Sequence, residues 1–128
     1  MIRGTLTNDK PIIDVTVQDP VTLNTYTVQA LLDTGCTGTV ISQHLAAQMQ
    51  LQGQGMIPVT VGSGTSSPAQ SYKLIISLPG HKKTVQLLCG SIPARLGGCD
   101  VVIGIELMKN GRFTLDRTKF TLLIPSLK

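Results

Sequence analysis

An apolar run that stops abruptly on Asp-Thr-Gly is the feature that most restricts how this chain can fold. Residues 28–32, Val-Gln-Ala-Leu-Leu, are followed at once by Asp33, Thr34 and Gly35. A strand that buries itself and then ends on this tripeptide is predicted to place one carboxylate at a buried tight turn. Such a position suits a catalyst built on paired carboxylates. That chemistry needs two carboxylates, yet Asp-Thr-Gly occurs only once in the sequence.

The composition favours strands around an aliphatic core. The chain has 128 residues, which we interpret as a single domain over residues 1–128. Only 3% of the residues are aromatic, so the core must consist of Val, Ile and Leu, which favour strands. Thirteen glycines and seven prolines are spread along the chain, as expected for short strands joined by tight turns. The sequence therefore predicts an all-β fold, closed or nearly closed around its core.

Hydrophobic periodicity predicts a series of strands with two short helices. A helix begins after Ser42, its predicted N-cap, and a second helix covers residues 105–110 with Gly111 as its C-cap. Residues 62–68, Gly-Ser-Gly-Thr-Ser-Ser-Pro, are expected to form a flexible hairpin tip. The predicted strands cover residues 1–6, 11–18, 25–32, 39–41, 57–61, 71–78, 84–89, 100–104, 113–115 and 119–124.

Charge and hydropathy argue against two classes of partner. The net charge is +4, but the basic residues are scattered, without a long basic run or interleaved aromatic residues. A nucleic-acid partner is therefore not expected. No apolar stretch approaches the length of a membrane span, so a membrane partner is not expected either. The first residues do not have the layout of a signal peptide, and none is expected.

The cysteines and histidines bear on location and on metal binding. Cys36, Cys89 and Cys99 are odd in number and form no Cys-x-x-Cys pair. This argues against a disulfide framework and favours a reducing compartment, so a cytoplasmic location is expected. The two histidines, His44 and His81, are far from the spacing of metal ligands. We therefore expect no metal site and no cofactor.

Three segments occur in an order and spacing that carry a family resemblance. They are the apolar residues before Asp33, the glycine-rich stretch at 62–65, and Val-Val-Ile-Gly at 101–104 followed by a short helix. Together they resemble the retropepsin-like aspartic proteases (clan AA) over nearly the whole chain. The resemblance is closest to stand-alone single-domain prokaryotic members, which begin near Met-Ile-Arg-Gly and carry Asp-Thr-Gly-Phe-Thr-Gly. In this chain Cys36 replaces the aromatic residue.

The resemblance implies a closed retropepsin-like barrel and an aspartic endopeptidase that cleaves peptides as a homodimer. Asp33 of each subunit would supply one carboxylate of the pair that activates a water, because one chain offers only one. Thr34 would link the two loops across the twofold axis, and Gly35 would permit the backbone path. The residues implied to form a substrate-covering flap are Gly62, Ser63, Gly64 and Thr65.

Other interpretations of the same residues stay open. The fold can serve as a non-catalytic peptide-binding or dimerisation module, because fold does not imply activity. A third interpretation is a small basic β-domain that binds nucleic acid. Asp33 can simply cap a turn, and Gly62 and Gly64 can be ordinary hairpin glycines. Asp100 is interpreted as structural, hydrogen-bonding backbone near the short helix, and Asp116 as a turn residue.

The cleft walls and the dimer contact are less constrained by the sequence. The terminal strand, residues 120–124, can pair within its own subunit. In viral members, by contrast, the chain termini build the dimer, so intrachain pairing here would leave a smaller interface. The apolar residues expected to line the cleft are Ala30, Val59, Val61 and Ile103.

Overall fold

The elements follow the predicted order of strands and short helices. A computed structural model of the chain describes residues 2–60, 65–80, 84–109 and 111–124. These residues confirm the mostly β class. The elements are β1 (Ile2–Thr5), β2 (Ile12–Gln18), β3 (Thr25–Leu32), β4 (Val40–Ser42), α1 (Gln43–Gln48), β5 (Gly53–Thr60), β6 (Ser66–Ser77), β7 (Thr84–Ile92), β8 (Val101–Ile103), α2 (Ile105–Met108), β9 (Arg112–Asp116) and β10 (Lys119–Leu123).

Six strands close into a barrel, as expected. Neighbouring strands follow the order β2-β3-β8-β4-β7-β6, and β6 pairs with β2 to complete the ring. Strand β5 pairs with β6 and extends the sheet beyond the ring. Strands β3 and β8 are parallel, with Leu32 opposite Ile103. These two strands therefore end side by side at one edge of the barrel, where the Asp-Thr-Gly segment begins.

Alternating side chains build the aliphatic core. In β2 the side chains of Ile13, Val15 and Val17 are buried, while Asp14 between them is exposed. Strand β8 lies between β3 and β4 and is buried on both faces. All three cysteines are free and buried. Burial raises the pKa of the Cys89 thiol to about 12, with a further contribution from the charge of Glu106. No described helix is long and apolar enough to cross a membrane.

The C-terminal strand pairs within its own chain. Strand β10 lies between β1 and β9 in a three-stranded antiparallel sheet, with Phe120 opposite Gly4 on one side and Leu115 on the other. The main-chain bonds of β10 are therefore formed with its own subunit. This confirms the intrachain alternative for residues 120–124, as far as the described residues reach.

Three strand limits differ from the predicted ones by three residues or more. Strand β5 begins at Gly53 instead of residue 57, and β6 begins at Ser66 instead of residue 71. A side-chain hydrogen bond links the two strands of this glycine- and serine-rich hairpin: the Gly55 amide donates to Gln70 Oε1 at 2.8 Å. Strand β7 continues to Ile92, beyond the predicted residue 89, because its last residues pair with β4 in parallel.

Gly111 does not have the predicted role. Helix α2 ends at Met108 with Lys109 as its C-cap, and Gly111 does not have a positive φ. A Cβ at Gly111 would lie 2.5 Å from the Leu123 carbonyl oxygen. The residue is therefore small because the chain passes close to β10, and not because a left-handed cap is required. The predicted helix end at Asn110 lies outside the described residues.

Ser42 caps α1 as predicted. Its Oγ accepts a hydrogen bond from the Leu45 amide at 3.0 Å and donates to Asp100 Oδ1 at 2.7 Å. The same Asp100 oxygen accepts from Arg95 Nε at 2.9 Å. The predicted structural role of Asp100 is thus correct, but its side chain contacts two side chains near α1 and not backbone.

We expect Ser42→Ala to lower the free energy of unfolding by about 1–2 kcal/mol, because the cap and the buried partner of Asp100 are lost together. Chemical denaturation measures this change. Ser77→Ala, a half-buried serine in β6, is the control and should change stability by less than about 0.5 kcal/mol. Equal unfolding midpoints for the two variants would contradict the capping role.

Candidate active site

The Asp-Thr-Gly segment continues from the end of β3 at the barrel edge. The Asp33 amide donates to the Ile103 carbonyl oxygen at 3.0 Å, which extends the β3–β8 pairing by one bond. The Gly35 amide donates to Asp33 Oδ1 at 2.8 Å, and the Cys36 amide donates to the Asp33 carbonyl oxygen at 3.2 Å. The carboxylate is therefore oriented by the backbone of its own loop.

The loop is more open than the sequence predicts. Asp33 is half-buried, and Thr34 and Gly35 are exposed. The expectation of a buried turn is thus wrong for the single chain, because the barrel strands end before these residues and cover them on one side only. Thr34 forms no side-chain hydrogen bond with the described part of the same chain. Its predicted bond across a twofold axis stays a prediction.

Helix α2 is attached to the loop by three hydrogen bonds. The Ile105 amide donates to the Cys36 carbonyl oxygen at 2.9 Å, and the Glu106 amide donates to that of Thr37 at 3.0 Å. In return the Thr39 amide donates to Glu106 Oε1 at 2.7 Å. The Val-Val-Ile-Gly segment and its helix thus fix the loop that carries Asp33, as their order in the sequence suggested.

Cys36 packs inside this loop as a neutral group. Its side chain is 1% exposed, and its thiol donates to the Gly38 carbonyl oxygen at 3.1 Å. Burial raises the pKa of the Cys36 thiol, the charge of Asp33 raises it further, and the bond to Gly38 lowers it. The thiol therefore fills space beside Asp33 and does not act as a thiolate at neutral pH.

A cleft of about 330 Å³ lies between the loop and the β5–β6 hairpin. Asp33 does not line it, so the cleft lies beside the carboxylate and not around it. A second hollow of about 520 Å³ lies on the other side of Val59, between β6 and the end of β7. The residues that line the first cleft are Cys36, Thr37, Gly38, Thr39, Val40, Ile57, Pro58, Val59, Thr60, Ser66, Leu88, Gly90 and Glu106.

The predicted cleft walls are only partly correct. Val59 lines both hollows, and it packs where Gly90 leaves room, since a Cβ at Gly90 would overlap its side chain. Ala30 and Ile103 are fully buried in the barrel and line neither hollow. Val61 lies outside the described residues.

The predicted flap is only partly described. Gly62, Ser63 and Gly64 lie outside the described residues, and Thr65 is an exposed residue that lines the second hollow.

Glu106 is a residue of the first cleft that the sequence patterns do not predict, although it is the chain's only glutamate and follows Gly104 by two residues.

Within the described ranges, no three His, Cys, Asp or Glu side chains cluster in a way that could hold a metal ion.

Comparisons with known proteins agree with this geometry. The family model described as gag-polyprotein putative aspartyl protease matches residues 20–110, a range that includes the Asp33 loop, the β5–β6 hairpin and α2. The crystal structure of a retropepsin-like aspartic protease from Rickettsia conorii matches with a TM-score of 0.61 at 13% identity, over 95% of this chain and 88% of that one. At this identity the likeness shows the fold, which confirms the predicted barrel. No curated protein matches the sequence.

Proposed function

Because the chain belongs to the gag-polyprotein putative aspartyl protease family, we propose that it is an aspartic endopeptidase that acts as a homodimer. The observation that carries the proposal is the setting of Asp33. Its carboxylate is held on the loop that the family fold builds, yet it is half-exposed beside the exposed residues Thr34 and Gly35. A second copy of the same loop can therefore approach it and supply the missing carboxylate.

Two carboxylates besides Asp33 are at least partly buried, and both have structural partners. Asp100 is bound by Ser42 and Arg95. Asp19 accepts from the Val21 amide and the Thr22 hydroxyl in the β2–β3 turn. Asp33 is therefore the candidate from which a symmetric pair would form.

The proposed mechanism needs only the paired Asp33 carboxylates and a water. Two carboxylates held close together cannot easily both ionise, so they share one proton, and their titration belongs to the pair. The ionised member takes a proton from the water as it attacks the scissile carbonyl carbon, and the protonated member donates to the carbonyl oxygen. As the tetrahedral intermediate collapses, the carboxyl group that took the water's proton donates it to the leaving nitrogen, and the C–N bond breaks. The other carboxylate takes the proton of one hydroxyl of the intermediate, which forms the product carboxyl group and restores the proton that the pair shares.

The proposed interface places the Asp33 loops and the start of α2 against their counterparts. Ile105 donates its amide to the Cys36 carbonyl oxygen and keeps 42% of its surface exposed, so it gives the interface an apolar residue beside the Asp33 loop. Because β10 is already paired within its own chain, this interface would be small. A small interface makes the dimer concentration-dependent.

We therefore expect cleavage per chain to rise with chain concentration and then to level off. The initial rate at which a peptide library is cleaved is measured from acid to neutral pH and over a wide range of protein concentration. Sedimentation of the same samples measures their oligomeric state. At low concentration the rate should grow with the square of concentration, because each active site needs two chains. A strictly monomeric chain that cleaves peptides, or an absence of cleavage at every pH and concentration, would contradict the proposal.

The proposed location is the cytoplasm. All three cysteines are free and buried. Free thiols persist in reducing compartments, whereas oxidising ones favour disulfides. Peptide or protein substrates would then be encountered in the cytoplasm.

A further inference from the structure

The cleft beside the Asp33 loop carries an unbalanced negative charge. Glu106 lines it, and none of its other lining residues is a lysine, arginine or histidine. The hollow on the other side of Val59 is lined by no charged residue among the described ones. Glu106 is therefore the charge that a side chain entering the first cleft would meet.

Glu106 is held in place without being neutralised. Its Oε1 accepts from the Thr39 amide at 2.7 Å, which orients the carboxylate but uses only part of its capacity to accept hydrogen bonds. Among the described residues the ion pair found is Arg95 with Asp100, and Glu106 forms none. A cationic or hydrogen-bond-donating group can thus bind Glu106 without displacing a partner.

A residue of the same cleft carries a buried hydroxyl without a partner among the described residues. Thr39 is 1% exposed and lines the cleft, and its Oγ1 is buried without a hydrogen-bond partner in the described structure. Leaving a buried hydroxyl unpaired is unfavourable by about 1–3 kcal/mol. Because this oxygen is shielded from the cleft, the binding of a charged group there rests on Glu106 and not on the Thr39 hydroxyl.

The volume of the cleft and its apolar lining restrict which substrate side chain it can bind. A cleft of about 330 Å³ holds one large side chain. Its apolar lining, which includes Val40, Ile57 and Val59, suits a hydrocarbon stem, and Glu106 suits a cationic end. Lysine and arginine combine such a stem with such an end.

We infer that this cleft binds a lysine or arginine side chain of the peptide substrate, with its stem against Val40 and Val59 and its cationic group on Glu106. The inference rests on the proposed endopeptidase function, because it assigns the substrate preference of that site. An extended peptide presents alternate side chains to the enzyme. The preference should therefore appear at one position of the substrate and not at all of them.

The test uses pairs of peptides that are identical except for lysine or norleucine at one position. That position is moved along the peptide one residue at a time. Glu106 is exposed, so at one position we expect kcat/KM to favour lysine about twofold to fivefold, the range for an exposed ion pair. Glu106→Gln should remove this preference, so that the ratio of kcat/KM for the lysine peptide to kcat/KM for the norleucine peptide falls to about one. The Gln amide oxygen can still accept from the Thr39 amide, which bonds Glu106 Oε1 in the wild-type chain. Asp116→Asn, an exposed carboxylate at the end of β9, is the control and should keep the preference.

A second measurement needs no variant. Because exposed charge pairs are screened by ions, the lysine preference of the wild-type protein should fall towards unity at about 1 M salt. Equal kcat/KM for both peptides at every position, a preference for norleucine, or a lysine preference that survives Glu106→Gln would overturn the inference while leaving the protease proposal intact.

The two proposals fail in different ways. If the wild-type protein cleaves none of the peptides, the proposed endopeptidase function is contradicted, and the cleft is then tested by binding. Fluorescence anisotropy of labelled peptides on the Asp33→Asn protein reads out the same lysine preference without catalysis. Tighter binding of the lysine peptide that is lost with Glu106→Gln supports the cleft assignment, and equal binding overturns it.

Discussion

Replacing Asp33 by Asn is expected to lower peptide cleavage by about 10⁴-fold or more, because the proposed acid and base are lost together in a symmetric dimer. The Asn side chain has nearly the same shape, and its oxygen can still accept from the Gly35 amide, which bonds Asp33 Oδ1 at 2.8 Å. The loop should therefore keep its structure. Neither Asn can take a proton from water or donate one to the carbonyl oxygen as a carboxyl group does.

The matched control is Asp116→Asn, which makes the same change at an exposed site in the β9–β10 hairpin. Its kcat/KM should stay within about twofold of the wild-type value. Mixing tagged Asp33→Asn chains with wild-type chains provides a second readout. Activity should then follow the square of the wild-type fraction if mixed dimers are inactive. Equal cleavage by the wild-type and Asp33→Asn proteins would exclude Asp33 as a catalytic residue.

Local patterns in the sequence predict much of the barrel. The alternation and turn residues around β3 give its limits as residues 25–32, as observed. The Ser42 cap is predicted because its hydroxyl bonds a backbone amide only three residues away. Such features depend on residues that are close in sequence, so they can be predicted before the fold is known.

Features that depend on contacts between residues far apart in sequence cannot be predicted from local patterns. Strand β7 extends to Ile92 because it pairs with β4, which lies about fifty residues earlier in the chain. The hydrogen bond from the Thr39 amide to Glu106 Oε1 spans 67 residues. No local pattern marks Glu106 as part of a cleft, and its role emerges only when α2 meets the Asp33 loop.

The exposure of the site illustrates a further limit. The apolar run before Asp33 predicts burial, and Leu31 and Leu32 are indeed buried. The burial stops at Leu32, the last residue of β3, and only the bond from the Asp33 amide continues the pairing with β8 beyond it. A strand pattern indicates how far the apolar residues extend, but whether the next residues are covered depends on what else packs there. In the proposed dimer, a second copy of the chain covers them.

Gly104→Ala is expected to have the second-largest effect, because Gly104 lies where β8 meets the Asp33 loop. Its φ of −95° and ψ of −171° are accessible to any residue, so backbone strain is not the obstacle. A Cβ at this position would overlap the Gly38 carbonyl oxygen and lie 2.5 Å from that of Cys36. Both oxygens belong to the backbone, so no side-chain rotation can move them out of the way. The loop must therefore shift away from α2.

We expect this shift to lower the free energy of unfolding by about 1–3 kcal/mol, as overpacking in a close contact does. It should also lower kcat/KM by about 10²-fold, because displacement of a catalytic group by about 1 Å has effects of that size. Denaturant unfolding and peptide cleavage well below the unfolding temperature measure the two changes separately. Gly38→Ala is the matched control for stability, since its Cβ would be 3.9 Å from Glu106 Oε1, an ordinary contact. Equal unfolding midpoints for the two alanine variants would show that the loop does not depend on its close approach to Gly104.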